Sequence, residues 1–338
     1  MAASAGRPLT VGLLLPTNEG MVDGAMPRWP ELLAVARHAE AVGFDALWVA
    51  DHLGVLDDPL LRPGDGPMGT WECWSVLAAL AAATTRIGLG SLVSCTAFRN
   101  PALLAKMAVT VDEVSGGRLT LGLGAGSVPE EFAAFGYPTD DAIGRFEEAV
   151  TIIGGLLRNG QIDFVGRHSQ ARDCELRPRG PRPSGPPILI AARSPRMDRL
   201  AARHADGWNA AWPNRAQALA PRIAAIDAAC RKVGRDPASL ERSVGVMVDL
   251  PARGPSRTDR RLELAIELLE RIGGGEPLDR ASLQPLAGSA AEIAVELRAC
   301  ADLGITSAQI WLDPPDLAGV EAFAPVLELL GPAAADAR

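Results

Sequence analysis

The stretch RIGLGSLVSCTAFRNPALLAKMAVTVDEVSGGRLTLGL, residues 86–123, reads as a strand, a helix and a second strand. Arg86–Ser94 and Leu119–Leu123 are short apolar runs, which is typical of strands buried on both faces. Between them, Pro101–Val114 has the pattern of a helix, and Gly116-Gly117 follows its end as glycine commonly does. This order predicts two parallel strands joined by a right-handed crossover.

The same alternation extends along the chain in both directions. Eight strands are expected, at Leu9–Leu15, Ala46–Ala50, Arg86–Ser94, Leu119–Leu123, Ile188–Ala191, Gly207–Ala211, Ser243–Leu250 and Ser307–Leu312. Helices are expected at Pro30–Val42, Thr70–Ala83, Pro101–Val114, Ile143–Leu157, Arg196–His204, Arg215–Val233, Thr258–Arg271, Ala290–Leu303 and Val320–Leu330. Eight such repeats favour an α/β fold of the (β/α)8 TIM barrel type over an open doubly wound sheet. We expect one barrel domain over residues 1–338, with an insertion at about 128–187 after the fourth strand.

Composition and charge narrow the class of protein. The chain has 338 residues, 48% of them hydrophobic, and a net charge of −8, which argues against a nucleic-acid partner. Its five cysteines are an odd number at wide spacing, so we expect reduced thiols rather than a disulfide framework. No signal-peptide core and no long apolar run are present, so we expect a cytoplasmic protein with no membrane segment.

Asp51-His52 follows the second predicted strand directly. Active sites of barrels of this kind lie at the carboxyl ends of the strands, so we expect this pair to reach the barrel mouth. The alternative is a loop pair that caps the next helix or forms a surface hydrogen bond. After the fourth strand, the run Gly122, Gly124 and Gly126 does not match the dinucleotide motif. Its glycines are expected to let a flat ligand approach the backbone.

An anion site is predicted after the fifth strand, where Ala192–Ser194 leads into a helix beginning at Pro195. The free N–H groups at a helix start attract anions, and Arg193 and Arg196 add positive charge. The alternative is simple capping of this helix by Ser194. The four histidines have no metal-site spacing, so no metal site is predicted, and no serine-nucleophile motif is present.

Two further features bear on the substrate. Trp208 and Trp212 bracket the end of the sixth strand, so one of them is expected to face the site. The segments Pro16–Arg28 and Val128–Pro187 are long loops on a rigid scaffold, and such loops commonly determine specificity.

Taken in order, the motifs resemble the bacterial luciferase-like superfamily of flavin- or deazaflavin-dependent oxidoreductases. The matching segments are AEAVGFDALWVADH (39–52), TTRIGLGSLVSCTAFRNPALLAKMAVTVDEVSGGRLTLGLGAG (84–126), RFEEAVTII (145–153), PPILIAARSPRMDRLAARHADGWN (186–209) and ADLGITSAQIWL (301–312). The segment IAARSPRMDRLAARHADGWN is most similar to members that use coenzyme F420, and FMN is the alternative cofactor.

The resemblance implies a barrel with the cofactor ring in its mouth and a non-proline cis peptide, here Leu92–Val93, supporting the ring. It implies that Asp51 and His52 contact the cofactor and perform proton chemistry. Further cofactor contacts are implied for Ala125, Gly126, Ser127, Ala192, Arg193 and Ser194, the last three holding the phosphate. The sugar-phosphate dehydrogenase subgroup has a glutamate where this chain has Ser127, which argues against glucose 6-phosphate as the substrate.

The predicted activity is hydride transfer between C5 of F420 and a small organic substrate. His52 is the expected proton donor or acceptor, and Asp51 is expected to orient it or to hydrogen-bond the cofactor ring. One alternative is an FMN-dependent two-component monooxygenase that uses O2 and a separate reductase. Another is a flavin-binding barrel without catalysis. The resemblance also implies a homodimer, and a flavin or F420 reductase is a possible partner.

Overall fold

The computed structural model describes residues 6–22, 25–54, 68–210, 212–250 and 283–331. Within these ranges, eight parallel strands form the barrel: β1 (Thr10–Leu14), β2 (Ala46–Val49), β3 (Gly88–Ser91), β4 (Leu119–Gly124), β5 (Ile188–Ala191), β6 (Gly207–Ala210), β7 (Glu241–Asp249) and β8 (Ser307–Asp313). Each strand pairs with the next in the chain, and β8 pairs with β1, so the sheet is closed. The predicted (β/α)8 TIM barrel is therefore confirmed.

Helices surround the barrel in the described residues. They are α1 (Trp29–Val42), α2 (Cys73–Ala83), α3 (Pro101–Ser115), α4 (Pro129–Phe135), α5 (Ala142–Asn159), α6 (Pro195–His204), α7 (Ala216–Lys232), α8 (Ala290–Asp302) and α9 (Leu317–Leu330). The caps follow the sequence closely: Asn100 caps α3, and Gly116 ends it with φ +69°. The predicted helix Thr258–Arg271 and the end of the sixth strand at Ala211 lie outside the described residues.

Alternate residues of each strand face opposite sides of the barrel wall. Leu13 and Leu47 pack in the large core between the strands and the surrounding helices. Leu14, Trp48 and Leu189 form a separate buried cluster, which lies inside the barrel. This alternation along each strand decides which side chains can reach the mouth and which point toward the helices.

The insertion between β4 and β5 contains more structure than one helix. It holds α4, α5 and an antiparallel hairpin of Gln161–Val165 with Gln170–Glu175. The Glu148 carboxylate accepts the backbone N–H groups of residues 167–169 in the hairpin turn. Most hairpin residues are exposed or half-buried, so their sequence lacks the apolar pattern by which a buried strand is recognised.

The glycines of β4 make room for protein, not for a ligand. A Cβ atom on Gly122 would lie 1.9 Å from the Ser91 carbonyl oxygen, and one on Gly124 would lie 2.7 Å from Val93 Cγ2. The segment 91–93 therefore packs directly on the backbone of β4. The expectation that these two glycines let a flat ligand approach is wrong, because that space is occupied.

We expect Gly122→Ala to lower the free energy of unfolding by about 1–3 kcal/mol, because overpacking forces the backbone apart. Gly154→Ala is the matched control in the interior of α5, where a Cβ atom would meet nothing within 4 Å. Alanine there should stabilise the helix, by roughly 0.5–1 kcal/mol. Urea denaturation of both variants measures the difference, and a Gly122→Ala midpoint at the wild-type value would contradict the packing.

Candidate active site

Asp51 lies buried just past the end of β2 and faces protein on both oxygens. Its Oδ2 accepts from Arg99 Nη1 (2.6 Å) and from the Cys95 backbone N–H (3.0 Å), and its Oδ1 accepts from Arg99 Nη2 (2.9 Å). Burial raises the pKa of Asp51, while the hydrogen bonds and charge of Arg99 oppose that shift. The carboxylate thus ties the end of β2 to the segment that follows β3.

His52, the next residue, is held by a different acid. Its Nδ1 lies 3.1 Å from Glu131 Oε2, and the other Glu131 oxygen accepts the backbone N–H groups of Leu53 (2.6 Å) and Gly54 (3.3 Å). The Glu131 side chain is 2% exposed and the His52 side chain 31% exposed. A carboxylate beside Nδ1 favours the tautomer with the proton on Nδ1. Glu131 therefore orients His52, and the Asp51 carboxylate is bound by Arg99.

Glu131 was not singled out from the sequence, although it ends the segment LGLGAGSVPEE after the fourth strand. It lies in the first turn of α4, 79 residues from His52 along the chain. The turn at Gly126, with φ +84°, leads the chain from β4 into this helix. A side chain at Gly126 would lie 2.5 Å from the Phe132 ring and 2.7 Å from Cys95 Sγ. The signal in the sequence that could have identified Glu131 is its position as an acidic residue soon after a barrel strand.

The predicted cis peptide Leu92–Val93 is confirmed. It follows β3, and the Leu92 N–H donates to the Val49 carbonyl at the end of β2 (2.8 Å). Leu92 packs beside Trp48 in the cluster inside the barrel. These contacts bring Leu92 and Val93 to the same end of the barrel as Ala125, Gly126 and Ser127, which follow β4. Their contacts with a cofactor stay a prediction.

At the start of α6, Arg193 and Arg196 have different surroundings. Arg196, which was expected to add positive charge to an anion site, pairs with Glu147 (3.0 Å) and lies 3.7 Å from Asp141, so two carboxylates already offset its charge. Arg193 has no hydrogen-bond or carboxylate partner among the residues that the structure describes. Its side chain is exposed, yet the surrounding protein and the Arg222 charge lower its pKa.

The remaining residues of this loop serve the helix. Ser194 caps α6, its hydroxyl accepting a long hydrogen bond from the Met197 N–H (3.4 Å), so the capping alternative is present. The Ala192 carbonyl accepts from Arg222, whose guanidinium also pairs with Asp198 (2.7 Å). Judged from the described residues, Arg193 is therefore the residue of this loop whose cationic group has no partner.

Of the two tryptophans near the end of β6, Trp212 is the one that faces the barrel interior. Trp208 is 0% exposed and belongs to the core outside the barrel wall, beneath Arg222. Trp212 packs with the cluster inside the barrel. Asn209, the neighbour of Trp208 in β6, faces the barrel interior, because its amide donates to Ser243 and Gln309 (both 2.9 Å).

The sequence over residues 9–307 matches the family model described as luciferase-like monooxygenase. The chain belongs to the luciferase-like family. The family resemblance inferred from the motifs is thereby confirmed.

Within the described ranges, no group of three or more His, Cys, Asp or Glu residues is placed to hold a metal ion. No helix of those same ranges has the length and apolarity needed to cross a membrane.

Two curated relatives and one solved structure illustrate the likeness within the luciferase-like family. The chain is 31% identical over 223 residues to an F420-dependent hydroxymycolic acid dehydrogenase of Mycobacterium tuberculosis, covering 63% of this chain and 57% of that protein. It is 31% identical over 277 residues to a phthiodiolone/phenolphthiodiolone dimycocerosates ketoreductase of Mycobacterium sp. strain JLS, covering 75% and 70%. The chain thus spans little more than half the length of the first of these relatives and about seven tenths of the second.

An F420-dependent secondary alcohol dehydrogenase, solved with an F420-acetone adduct, superposes with a TM-score of 0.77. The superposition covers 95% of this chain and 99% of that chain at 20% sequence identity. Similarity at this level of identity establishes the shared barrel fold of the luciferase-like family and leaves the activity to the residues of the mouth.

Proposed function

We propose that this protein is an F420-dependent oxidoreductase that transfers a hydride between the deazaflavin and a small organic substrate in the barrel mouth. One observation carries the proposal. The mouth combines a solvent-accessible, carboxylate-anchored histidine, His52, with the Arg193 guanidinium at a helix start, which has no ionic partner in the part of the chain that the structure describes. The names of the two curated relatives, a dehydrogenase and a ketoreductase, support the same class of reaction.

The residues of the mouth fit the two ends of such a cofactor. An anionic phosphate suits Arg193 and the N-terminal end of α6, since both offer positive charge and N–H donors. Leu92, Val93 and the turn Ala125–Ser127 would border the ring, and the exposed Gly126 of that turn lies close against the buried side chains of Phe132 and Cys95. When bound, F420 supplies the carbon that accepts or donates the hydride.

His52 would move the proton that accompanies the hydride. Oxidation of an alcohol to a ketone releases one hydride from carbon and one proton from oxygen, and the reverse reaction consumes both. The imidazole takes the proton in one direction and returns it in the other. Glu131 holds the ring by Nδ1 and stabilises it when it is positively charged. The Asp51–Arg99 pair keeps the segments after β2 and β3 in place.

Equilibrium binding of F420 and of FMN, measured by fluorescence titration, tests this proposal. We expect F420 to bind more tightly than FMN. Arg193→Ala should weaken F420 binding by about ten- to a hundred-fold, because a hydrogen bond to a charged group contributes ~1.5–3 kcal/mol. Arg196→Ala is the matched control and should leave binding unchanged, since Arg196 is paired with Glu147.

Three other results of these binding measurements would change the proposed function. A preference for FMN would move the function to a monooxygenase that uses O2 and a separate reductase. Tight F420 binding without turnover on any alcohol or ketone would favour a cofactor-binding barrel without catalysis. Binding of neither cofactor would overturn the proposal and the anion site at Arg193 with it.

A further inference from the structure

We infer that Met68 limits the size of the substrate, so that the enzyme accepts ketones or secondary alcohols with short apolar groups. This assignment rests on the proposed function and adds a residue that determines specificity. It comes from an apolar roof, defined here as the side chains of Met21, Met68 and Val128.

The roof is held by a strap, defined here as residues 17–21, which follow β1, and residues 68–71, which come shortly before α2. The two segments pair at Asn18 and Thr70 through an antiparallel bridge, and the Thr70 hydroxyl donates to Asn18 Oδ1 (2.6 Å). Two backbone hydrogen bonds flank the bridge, from the Glu19 N–H to the Gly69 carbonyl (2.9 Å) and from the Trp71 N–H to the Thr17 carbonyl (3.1 Å). These contacts hold the strap together as one unit that carries two of the three roof side chains.

The roof joins opposite walls of the barrel. Met68 and Val128 form a buried cluster, and Trp311 of β8 packs against it. Val128 follows β4, which lies four strands from β8 in the closed eight-stranded sheet. Trp311 also packs on the cluster inside the barrel. Side chains therefore fill this part of the mouth from the barrel interior up to the strap.

The strap also packs on the loop that carries His52. Gly54, two residues after His52, has a φ of +84°. A Cβ atom at Gly54 would lie 2.9 Å from the Thr70 nitrogen and 3.0 Å from the Met68 carbonyl oxygen, so no side chain fits between the strap and this loop. The Gly54 N–H donates to Glu131 (3.3 Å), the residue that also holds His52. A substrate that places its oxygen at His52 therefore lies beside the roof.

Met68 is the longest buried side chain of the roof. It is 2% exposed, whereas Met21 is half-buried. Extra methylene groups in packed apolar space force side chains out of their preferred rotamers, so a long substrate group would be bound at a cost. Truncation of Met68 to alanine would instead leave an apolar cavity, and cavities of this kind bind apolar groups. The length of the Met68 side chain therefore sets the length of the group that the substrate can carry.

Calorimetric titration of the F420-loaded protein with 2-butanone, 2-hexanone and 2-octanone tests this inference without relying on turnover. For the wild type we expect no gain in affinity from 2-butanone to 2-octanone. Met68→Ala should bind 2-hexanone at least about ten-fold more tightly than the wild type does, because each methylene group buried in the new cavity contributes roughly three- to four-fold. Met68→Leu nearly conserves the volume and should keep the wild-type pattern. Met107→Ala is the matched control, because Met107 is half-buried on α3 against the outer core.

The outcomes separate this inference from the proposed function. If F420 binds but the wild-type affinity rises steadily from 2-butanone to 2-octanone, or if none of the three ketones binds, the substrate class is wrong and the cofactor assignment stands. A wild-type pattern in Met68→Ala would remove Met68 from the substrate site. If F420 does not bind at all, both proposals fail. The wild-type series decides the question even where Met68→Ala does not fold.

Discussion

His52→Ala is expected to lower kcat for hydride transfer by about 10²- to 10⁴-fold, the range that a positioned acid or base contributes. The variant removes the group that exchanges the substrate proton, so the loss falls on the chemical step. Binding of F420 should remain close to wild type, because this variant leaves the proposed phosphate contact at Arg193 intact. Steady-state kinetics together with F420 titration measure the two effects separately.

His38→Ala provides the control for this variant, since His38 lies on α1 and pairs with Glu321 at the surface. Glu131→Gln should lower kcat less than His52→Ala does, because the ring remains but its carboxylate anchor is lost, and Glu131→Asp should recover part of that loss. A His52→Ala enzyme with wild-type kcat would contradict the assignment of the proton-transfer role to His52.

Asp51→Ala is expected to lower the free energy of unfolding by about 3–5 kcal/mol, since removal of one partner leaves a buried charge uncompensated. The Arg99 guanidinium would lose both of its bonds to Asp51 and keep its bond to Glu72 (2.5 Å), whose side chain is 42% exposed. The Cys95 N–H would lose its acceptor as well. Urea denaturation followed by circular dichroism measures the loss.

Two comparisons make this prediction specific. The double variant Asp51→Ala/Arg99→Met should recover much of the stability, because it removes both charges together. Asp140→Ala breaks an exposed pair with Arg145 and should leave the unfolding midpoint unchanged. A stable Asp51→Ala protein that no longer binds F420 would return Asp51 to direct cofactor contact.

These two predictions separate adjacent residues that the sequence presents as a pair. Asp51 and His52 stand side by side, but successive side chains at the end of a strand point to opposite faces. Asp51 turns toward Arg99 between the strand ends and the helices, whereas His52 meets Glu131 and solvent. The spacing of the pair could be read from the sequence, but the partner of each member could not.

Local sequence patterns predicted the buried strands of the barrel but not the exposed part of the insertion. The alternation of apolar runs predicted all eight strands of the barrel within a few residues, because burial on both faces leaves a strong local pattern. The hairpin at residues 161–175 was missed because its residues are largely exposed. The family motifs predicted the cis peptide Leu92–Val93, which no local pattern of the residues indicates.

The sequence by itself determined the order of strands and helices, the closed barrel that this order favours, and the end of the barrel at which the candidate site was expected. Only the tertiary structure decided that Glu131 anchors His52 and that Trp212 rather than Trp208 faces the interior. It also decided that Arg196 pairs with Glu147, whereas Arg193 has no carboxylate partner among the described residues. The physical reason is the distance along the chain between the residues that interact. Strand and helix patterns arise from neighbours a few residues apart, whereas each of these partnerships joins residues that only the closure of the barrel brings together.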